Sequence, residues 1–134
     1  MAGLTHILHV EDDADIVEVA RMSLELLGGF RLDQFTSGAA AVAAAPGLHP
    51  DLLLLDMMMP GMDGWQTLLR LRDIPHLREV PAIFMTAKLA GLPDAAAFAE
   101  QHVIGTVEKP FDAMALPGQL RAMWDAARAM PAFP

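Results

Sequence analysis

The chain contains no cysteine. Disulfide bonds and thiolate metal sites are therefore excluded, and the absence agrees with a cytoplasmic protein, which is the localisation that we expect. The sequence also lacks an apolar run of the roughly 20 residues that a membrane-spanning helix needs, so no association with a membrane is expected. No basic region precedes the acids that begin at position 11, which is atypical of a signal peptide.

Acidic residues outnumber basic residues by 17 to 9 in the 134-residue chain, and the formal net charge is −8. Such a surface repels phosphate backbones, so direct binding to nucleic acid is not expected. With 54% hydrophobic and 19% charged residues, the composition is typical of a compact soluble domain. We predict a single domain over residues 1–134, with a core in about 4–130 and a loose tail at 131–134. We expect no output domain after that tail.

Five short apolar segments have the length and composition of β-strands. The segment DLLLLD is apolar without alternation, which indicates burial on both faces of a sheet. The predicted strands cover residues 5–10, 30–35, 51–56, 81–87 and 105–110.

A segment with the properties of a helix follows each of these strands. Ser37 is a candidate helix start, and Pro93 is predicted to lie near the first turn of the fourth helix. In the third helix, Leu69 is expected to face the core, whereas Arg70 and Arg72 are expected to face solvent. The predicted helices cover residues 15–29, 37–47, 64–73, 91–103 and 116–130. Strands that alternate with helices predict an α/β fold, a doubly wound five-stranded parallel sheet with helices on both faces.

Ligands bind such sheets at the carboxyl ends of the strands. Carboxylates that meet there repel one another, and a hard divalent cation such as Mg²⁺ relieves the repulsion. Together with a lysine and a hydroxyl group, they suit a phosphoryl group. Asp56 ends the central strand with no adjacent acid, so it is the best candidate for a nucleophile. The residues predicted to meet are Glu11, Asp12, Asp13, Asp56, Thr86 and Lys109.

Four motifs carry a resemblance to a known family. They are HVEDD at 9–13, DMMMPGMDG at 56–64, MTAK at 85–88 and EKPFD at 108–112. With them, the chain resembles the receiver domain of bacterial two-component response regulators, of the single-domain type, over about residues 4–130. The resemblance implies a flavodoxin-like fold with strand order 2-1-3-4-5. It also implies a phosphorylation-activated signalling switch, served by a histidine kinase or a histidine phosphotransfer protein, and not an enzyme with independent substrate turnover.

The resemblance implies a role for each residue around the metal. Asp56 would be the phosphoacceptor. Asp56, Asp12 and the backbone carbonyl of Met58 would bind Mg²⁺, the expected cofactor, and Glu11 would act on the metal through water. Asp13 stands one place beyond the acidic pair, so we expect it to favour the start of the first helix instead.

Further roles concern the phosphoryl group. Lys109, the Thr86 hydroxyl and the backbone amides of Met58 and Ala87 would hold its oxygens. The Lys109–Pro110 peptide bond is usually cis in the family, and we expect it to be cis here. Inward movement of Thr86 would change the face formed by the fourth helix, fifth strand and fifth helix. The chain would then bind an unknown downstream partner or pass the phosphate on.

Two positions depart from the family pattern. Thr106 stands three places before Lys109, where the family usually has an aromatic residue that takes part in the switch. Met58 brings an apolar side chain near the path of hydrolytic water, which predicts slow autodephosphorylation. The five histidines, at positions 6, 9, 49, 76 and 102, have no metal-binding spacing, and we expect them at the surface or at strand ends.

Two other function classes remain open from the residues. The first is a receiver-like protein-interaction module that phosphorylation does not control, although the intact acidic set and Lys109 argue against it. The second is an enzyme on the same fold. A phosphatase would need a second acid where Met58 stands, and a nucleotide-binding enzyme would need a glycine-rich first turn where VEDDAD stands. We expect a monomer or a weak homodimer.

Overall fold

A computed structural model of the chain describes residues 3–88 and 90–129. In these residues, five strands form one parallel sheet in the order β2-β1-β3-β4-β5. The predicted α/β class and strand order are therefore confirmed. The tail predicted at 131–134 lies outside the described residues. The strands are β1 His6–Val10, β2 Arg31–Phe35, β3 Leu52–Asp56, β4 Ala82–Thr86 and β5 Val103–Glu108.

Helices cover both faces of this sheet, and each follows a strand. In four of them the residue before the first turn is polar, and its side chain accepts a hydrogen bond from a backbone N–H of that turn. Asp13 and Ser37 are two of these residues, so both predicted helix starts are confirmed. The helices are α1 Ala14–Arg21, α2 Gly38–Ala44, α3 Gly64–Arg72, α4 Ala95–Glu100 and α5 Leu116–Ala129. Short 3₁₀ turns lie at Ala45–Gly47 and Pro75–Leu77.

Side chains alternate between the two faces of the sheet and form two core layers. Leu53, Leu55 and Phe84 belong to the layer that packs with Leu68 of α3. The layer on the opposite face contains Leu52, Leu54, Ile83, Leu24, Leu120 and Trp124. All four leucines of β3 are completely buried, because both faces of this central strand are covered. Among the described residues, none of the helices combines the length and the apolar character needed to cross a bilayer.

Three segments differ in part from the prediction. The first helix ends as an α-helix at Arg21 and continues as a π-helical segment over Met22–Leu27. The fourth helix begins at Ala95 and not at the predicted position 91, because the Asp94 carboxylate caps the helix by accepting from the Ala97 N–H at 2.9 Å, and Pro93 lies near the first turn as predicted. Strand β5 begins at Val103, two residues before the predicted start, since its pairing with β4 already begins there.

The orientation of two α3 side chains also differs from the prediction. Arg72 was expected to face solvent but is buried, and it donates hydrogen bonds to the carbonyl oxygens of Leu77 and Gln101. This burial lowers the pKa of its guanidinium to about 10. Leu69 was expected to face the core but is exposed. Arg72 therefore connects the end of α3 to the turn before β5. Its charge had indicated a solvent-exposed position instead.

Candidate phosphoryl and metal site

Three acidic side chains meet at the carboxyl edge of the sheet. Glu11 and Asp12 directly follow β1, and Asp56 ends the neighbouring strand β3. One carboxylate oxygen from each lies within 4.8 Å of the others. Glu11 and Asp56 are buried, whereas Asp12 is exposed. The structure therefore brings together residues that are 45 positions apart and leaves one of the three carboxylates open to solvent.

Lys109, which directly follows β5, completes this group. Its Nζ donates a hydrogen bond to Oε1 of Glu11 at 3.0 Å and lies 3.2 Å from Oδ1 of Asp56. Its backbone N–H donates to the Thr86 carbonyl at 2.8 Å, which ties the end of β5 to the end of β4. The Lys109–Pro110 peptide bond is cis. A single ammonium group thus contacts two carboxylates at once.

Burial and crowding change the protonation of this group. Burial raises the pKa of the Glu11 carboxyl to about 7, against the opposing hydrogen bond from Lys109, and the neighbouring Asp56 adds to the rise. Burial lowers the pKa of Lys109, but the contacts with Glu11 and Asp56 outweigh it, so the pKa lies above its ordinary value. One lysine therefore does not compensate the acids fully, and the site favours a further cation.

The donor set fits Mg²⁺. Hard carboxylate oxygens are the ligands that this ion prefers, and it commonly takes one or two carboxylates together with water and phosphate oxygens. Asp12 and Asp56 offer such oxygens, and the exposure of Asp12 leaves room for water. The Met58 backbone lies beside them, since its N–H donates to Oδ1 of Asp56 at 3.3 Å. The side chain of Met58 points to solvent and is 71% exposed.

Thr86 is buried at the end of β4, the strand next to β3. Its hydroxyl donates to the Lys88 carbonyl at 2.8 Å and accepts from the Lys88 N–H at 3.1 Å. The hydroxyl is thus engaged with the following loop and not with Asp56. Ala87 is exposed directly after it. Thr106 lies on β5 opposite Phe84, half-buried, at the position where the resemblance implies an aromatic residue.

The loop after Asp56 is held close to the sheet by Gly64, the first residue of α3. Its N–H donates to the Met57 carbonyl at 2.9 Å. A Cβ atom at this position would lie 2.3 Å from the Asp56 carbonyl oxygen, so any larger residue would displace the loop. Gly61 has φ +74°, a left-handed conformation that glycine adopts without strain. These two glycines shape the loop that carries Met58.

His9 is the residue near the site that sequence reasoning missed. The histidines were expected at the surface or at strand ends, yet His9 lies in the interior of β1 and is completely buried. Its Nδ1 lies 3.1 Å from Nε2 of Gln34. Burial lowers its pKa to about 4, and the positive charge of Lys109 contributes. The apolar residues on either side of His9 in HILHV are the sequence feature that indicates its burial. His49 and His76, 27 positions apart, have ring centroids 4.4 Å apart.

The sequence of the chain matches a known protein family over most of its length. The model of the response regulator receiver domain family matches residues 7–121. The chain belongs to this family.

Individual relatives agree. The transcriptional regulatory protein CseB of Streptomyces avermitilis is 36% identical over 123 residues, which are 92% of this chain and 50% of that protein. PcoR of Escherichia coli is 33% identical over 96% of this chain and 55% of its own length. The chain thus spans about half the length of these regulators.

Solved structures give the same result. The receiver domain of the sensor histidine kinase PA1611 from Pseudomonas aeruginosa PAO1 is 30% identical to this chain, with a TM-score of 0.76. The match covers 92% of this chain and 99% of the PA1611 receiver domain. That structure holds a magnesium ion coordinated in its active site cleft. The chemotaxis protein CheY4 of Vibrio cholerae has a TM-score of 0.77 at 21% identity over 90% of this chain and 99% of that one, which shows the fold alone.

Proposed function

We propose that this chain is a phosphorylation-controlled signalling switch whose phosphoacceptor is Asp56. The phosphoryl group would come from the phosphohistidine of a histidine kinase or of a histidine phosphotransfer protein. The observation that carries the proposal is the contact of Lys109 Nζ with Asp56, 3.2 Å from Oδ1, inside a cluster of three carboxylates. A carboxylate nucleophile, a cation that balances its charge and oxygen ligands for a metal are the parts that phosphoryl transfer to an aspartate needs.

The residues present would bind Mg²⁺ through the side chains of Asp12 and Asp56 and the carbonyl of Met58, with Glu11 acting through water. The bound ion would supply positive charge that neutralises phosphoryl oxygens. In the transfer itself, Asp56 attacks phosphorus in line with the departing histidine nitrogen and becomes an acyl phosphate. Lys109 balances the negative charge that gathers on the phosphoryl oxygens during this step.

The conformational change that transmits the signal would begin at Thr86. Its hydroxyl would exchange its hydrogen bonds with Lys88 for one to the phosphoryl group, which the amides of Met58 and Ala87 also hold. That exchange changes the loop between β4 and α4, and with it the face formed by α4, β5 and α5. Phosphorylation would thus favour one of two states of this face, which binds a downstream protein or passes phosphate on. Because Thr106 has no aromatic ring, this conformational change would proceed without the aromatic residue that the family usually has at this position.

Intact-mass measurement tests the proposal. The protein is incubated with Mg²⁺ and a small phosphodonor, and the wild type is compared with Asp56→Asn. We expect a single phosphoryl adduct on the wild type and none on the variant. Asp63→Asn is the matched control, because Asp63 lies in the same loop and caps α3, and asparagine is an equally good cap. This control should retain the adduct.

The possible results separate the function classes. No adduct on the wild type would overturn the proposal and favour an interaction module that phosphorylation does not control. An adduct that persists in Asp56→Asn would place the phosphoacceptor elsewhere. Continuous turnover of the phosphodonor, with each phosphoryl group released rapidly as inorganic phosphate, would favour an enzyme instead of a switch.

A further inference from the structure

We propose that Met58 is an oxidation site, and that conversion of its thioether to a sulfoxide by a peroxide shortens the lifetime of the phosphoryl group on Asp56. The inference rests on the proposed function, because it concerns the regulation of that same site. It adds a second chemical input, an oxidant, to a switch whose first input is a phosphohistidine.

The distribution of methionines around Asp56 makes Met58 selective. Four of the ten methionines in the chain stand within six positions, at 57, 58, 59 and 62. Met57 and Met59 face the core and are 7% and 9% exposed, whereas Met58 is 71% exposed. A dissolved oxidant therefore reaches the sulfur of Met58 and is kept from the sulfur atoms of both neighbours. The two buried methionines serve as internal controls for an intact fold.

The position of Met58 connects this sulfur to the phosphoryl chemistry. The Met58 N–H donates to Oδ1 of Asp56, so the Met58 backbone lies directly beside this carboxylate. Asp56 itself is only 2% exposed. Water that hydrolyses an acyl phosphate on Asp56 has to approach past the residues that surround this carboxylate, and Met58 is one of them. The exposed, apolar Met58 side chain offers such water no strong hydrogen-bond partner.

The oxidation step is chemically complete with a peroxide as the oxidant. A lone pair of the Met58 sulfur attacks one peroxide oxygen, the O–O bond breaks and an S–O bond forms. With hydrogen peroxide, the other oxygen leaves as hydroxide and takes the proton from the oxygen that is now bound to sulfur, which gives water. The thioether is oxidised by two electrons and the peroxide is reduced by two. Methionine sulfoxide reductases reverse the modification, so the change is suited to regulation.

The sulfoxide differs from the thioether in its capacity to bind water beside Asp56. Its oxygen is a polar hydrogen-bond acceptor, and it replaces an apolar surface. This oxygen would accept a hydrogen bond from the O–H of a water molecule beside the phosphorus atom. It would keep that hydrogen bond as the water attacks. A gain of one ordinary hydrogen bond in the hydrolytic transition state corresponds to about fivefold faster loss of phosphate.

Two variants separate Met58 from the other exposed methionines within residues 3–88 and 90–129. Met22 and Met114 are 49% and 75% exposed and lie outside the site. In the double variant Met22→Leu/Met114→Leu, Met58 keeps its sulfur and these two lose theirs. In Met58→Leu, position 58 has no sulfur, whereas Met22 and Met114 keep theirs. Each protein is treated with limiting hydrogen peroxide, mapped by peptide mass, phosphorylated with Mg²⁺ and a small phosphodonor, and followed by intact mass as the adduct decays. Each is compared with its own untreated sample.

We expect one added oxygen on Met58 in the double variant, unmodified Met57 and Met59, and about fivefold faster loss of the adduct, reversed by sulfoxide reductases. In Met58→Leu, peroxide should leave the lifetime unchanged. An oxidised Met58 with an unchanged or longer lifetime would overturn the inference alone. So would an equal response in Met58→Leu, or an unoxidised Met58. If the untreated wild type forms no adduct, the proposed function fails and the inference fails with it.

Discussion

Strand β3 has an aspartate at each end, and the two have opposite surroundings. Asp51, just before the strand, accepts hydrogen bonds from the Thr5 N–H at 3.1 Å, the Thr5 hydroxyl at 2.8 Å and the His6 N–H at 3.0 Å. Asp56, at the other end, accepts a 3.3 Å bond from Met58 and shares one lysine with Glu11. A carboxylate with a full set of donors stabilises a fold. A carboxylate among like charges retains affinity for a cation and for an electrophile.

The largest effect is expected from the lysine at the carboxyl edge. The chain has two lysines, and only the Lys109 side chain contacts Asp56. Lys109→Met should slow the appearance of the phosphoryl adduct by about 100-fold, because it removes a charge that acts on the transferring group. Lys88→Met, which removes an exposed side chain, should leave the rate unchanged. Equal slowing in both variants would show that the contact with Asp56 carries no special weight.

The histidines of β1 extend the comparison to pH. His6, near the amino edge, contacts Asp33, whereas His9 has Lys109 as its charged neighbour. The pKa of His9 is about 4 in the fold, against 6.5 ordinarily, so between these values the unfolded chain binds more protons. The contribution of His9 to the free energy of unfolding should therefore be fully present above pH 6.5. It should decrease as the pH falls toward 4, with a loss of about 3 kcal/mol.

Urea unfolding of the wild type and His9→Leu at pH 7.5 and 4.5 measures this contribution. The difference between the two pH values should be smaller in His9→Leu, because leucine binds no proton in either state. Acidic residues contribute equally to both proteins and cancel. The same pH dependence in both would contradict the prediction.

The aspartates themselves provide the next test. Asp51→Ala should lower the free energy of unfolding by about 2 kcal/mol, since three donors near the amino edge lose a charged acceptor. Asp56→Ala, measured without divalent cations, should raise it by about 1 kcal/mol, because it removes a like charge beside Glu11. Thermal or urea unfolding gives both values. Losses of similar size would mean that both ends of β3 serve stability alone.

The smallest effect is expected in the turn before β5, at the amino edge. His102 has φ +55°, a conformation that glycine adopts without the steric cost of a Cβ atom. His102→Gly should raise the free energy of unfolding by about 1 kcal/mol and leave phosphorylation unchanged. Gln101→Gly is the control, because its φ of −100° offers no such relief. Slower phosphorylation in His102→Gly would show that the two edges are coupled.

The carboxyl-edge cluster could be predicted because parallel strands bring their carboxyl ends to one side. Once the strand ends were identified, Glu11, Asp12, Asp56 and Lys109 had to converge. The cap of α4 was also within reach, since aspartate is a preferred N-cap residue and proline is not.

Other features depend on distant partners. Arg72 is buried because carbonyl oxygens of two separate turns meet its guanidinium, and no local pattern reveals them. Within the described part of the chain, His9 lies inside the sheet with a hydrogen-bond partner for Nδ1 only, and that partner, Gln34, comes from the neighbouring strand. The π-helical continuation of α1 buries Leu24 and leaves Met22, Leu26 and Leu27 exposed, and the apolar composition of the segment does not distinguish this geometry from an α-helix.

The close approach of Gly64 to the Asp56 carbonyl has a consequence for protein engineering. Because a Cβ atom has no room there, the distance between β3 and α3 is set by a backbone-to-backbone contact. The nine residues from Asp56 to Gly64 therefore form a spacer of fixed dimensions. Anyone who transplants this loop to another parallel sheet has to move the glycine with it. Otherwise a Cβ atom at this position would clash with the carbonyl oxygen of the aspartate and displace the loop in the new scaffold.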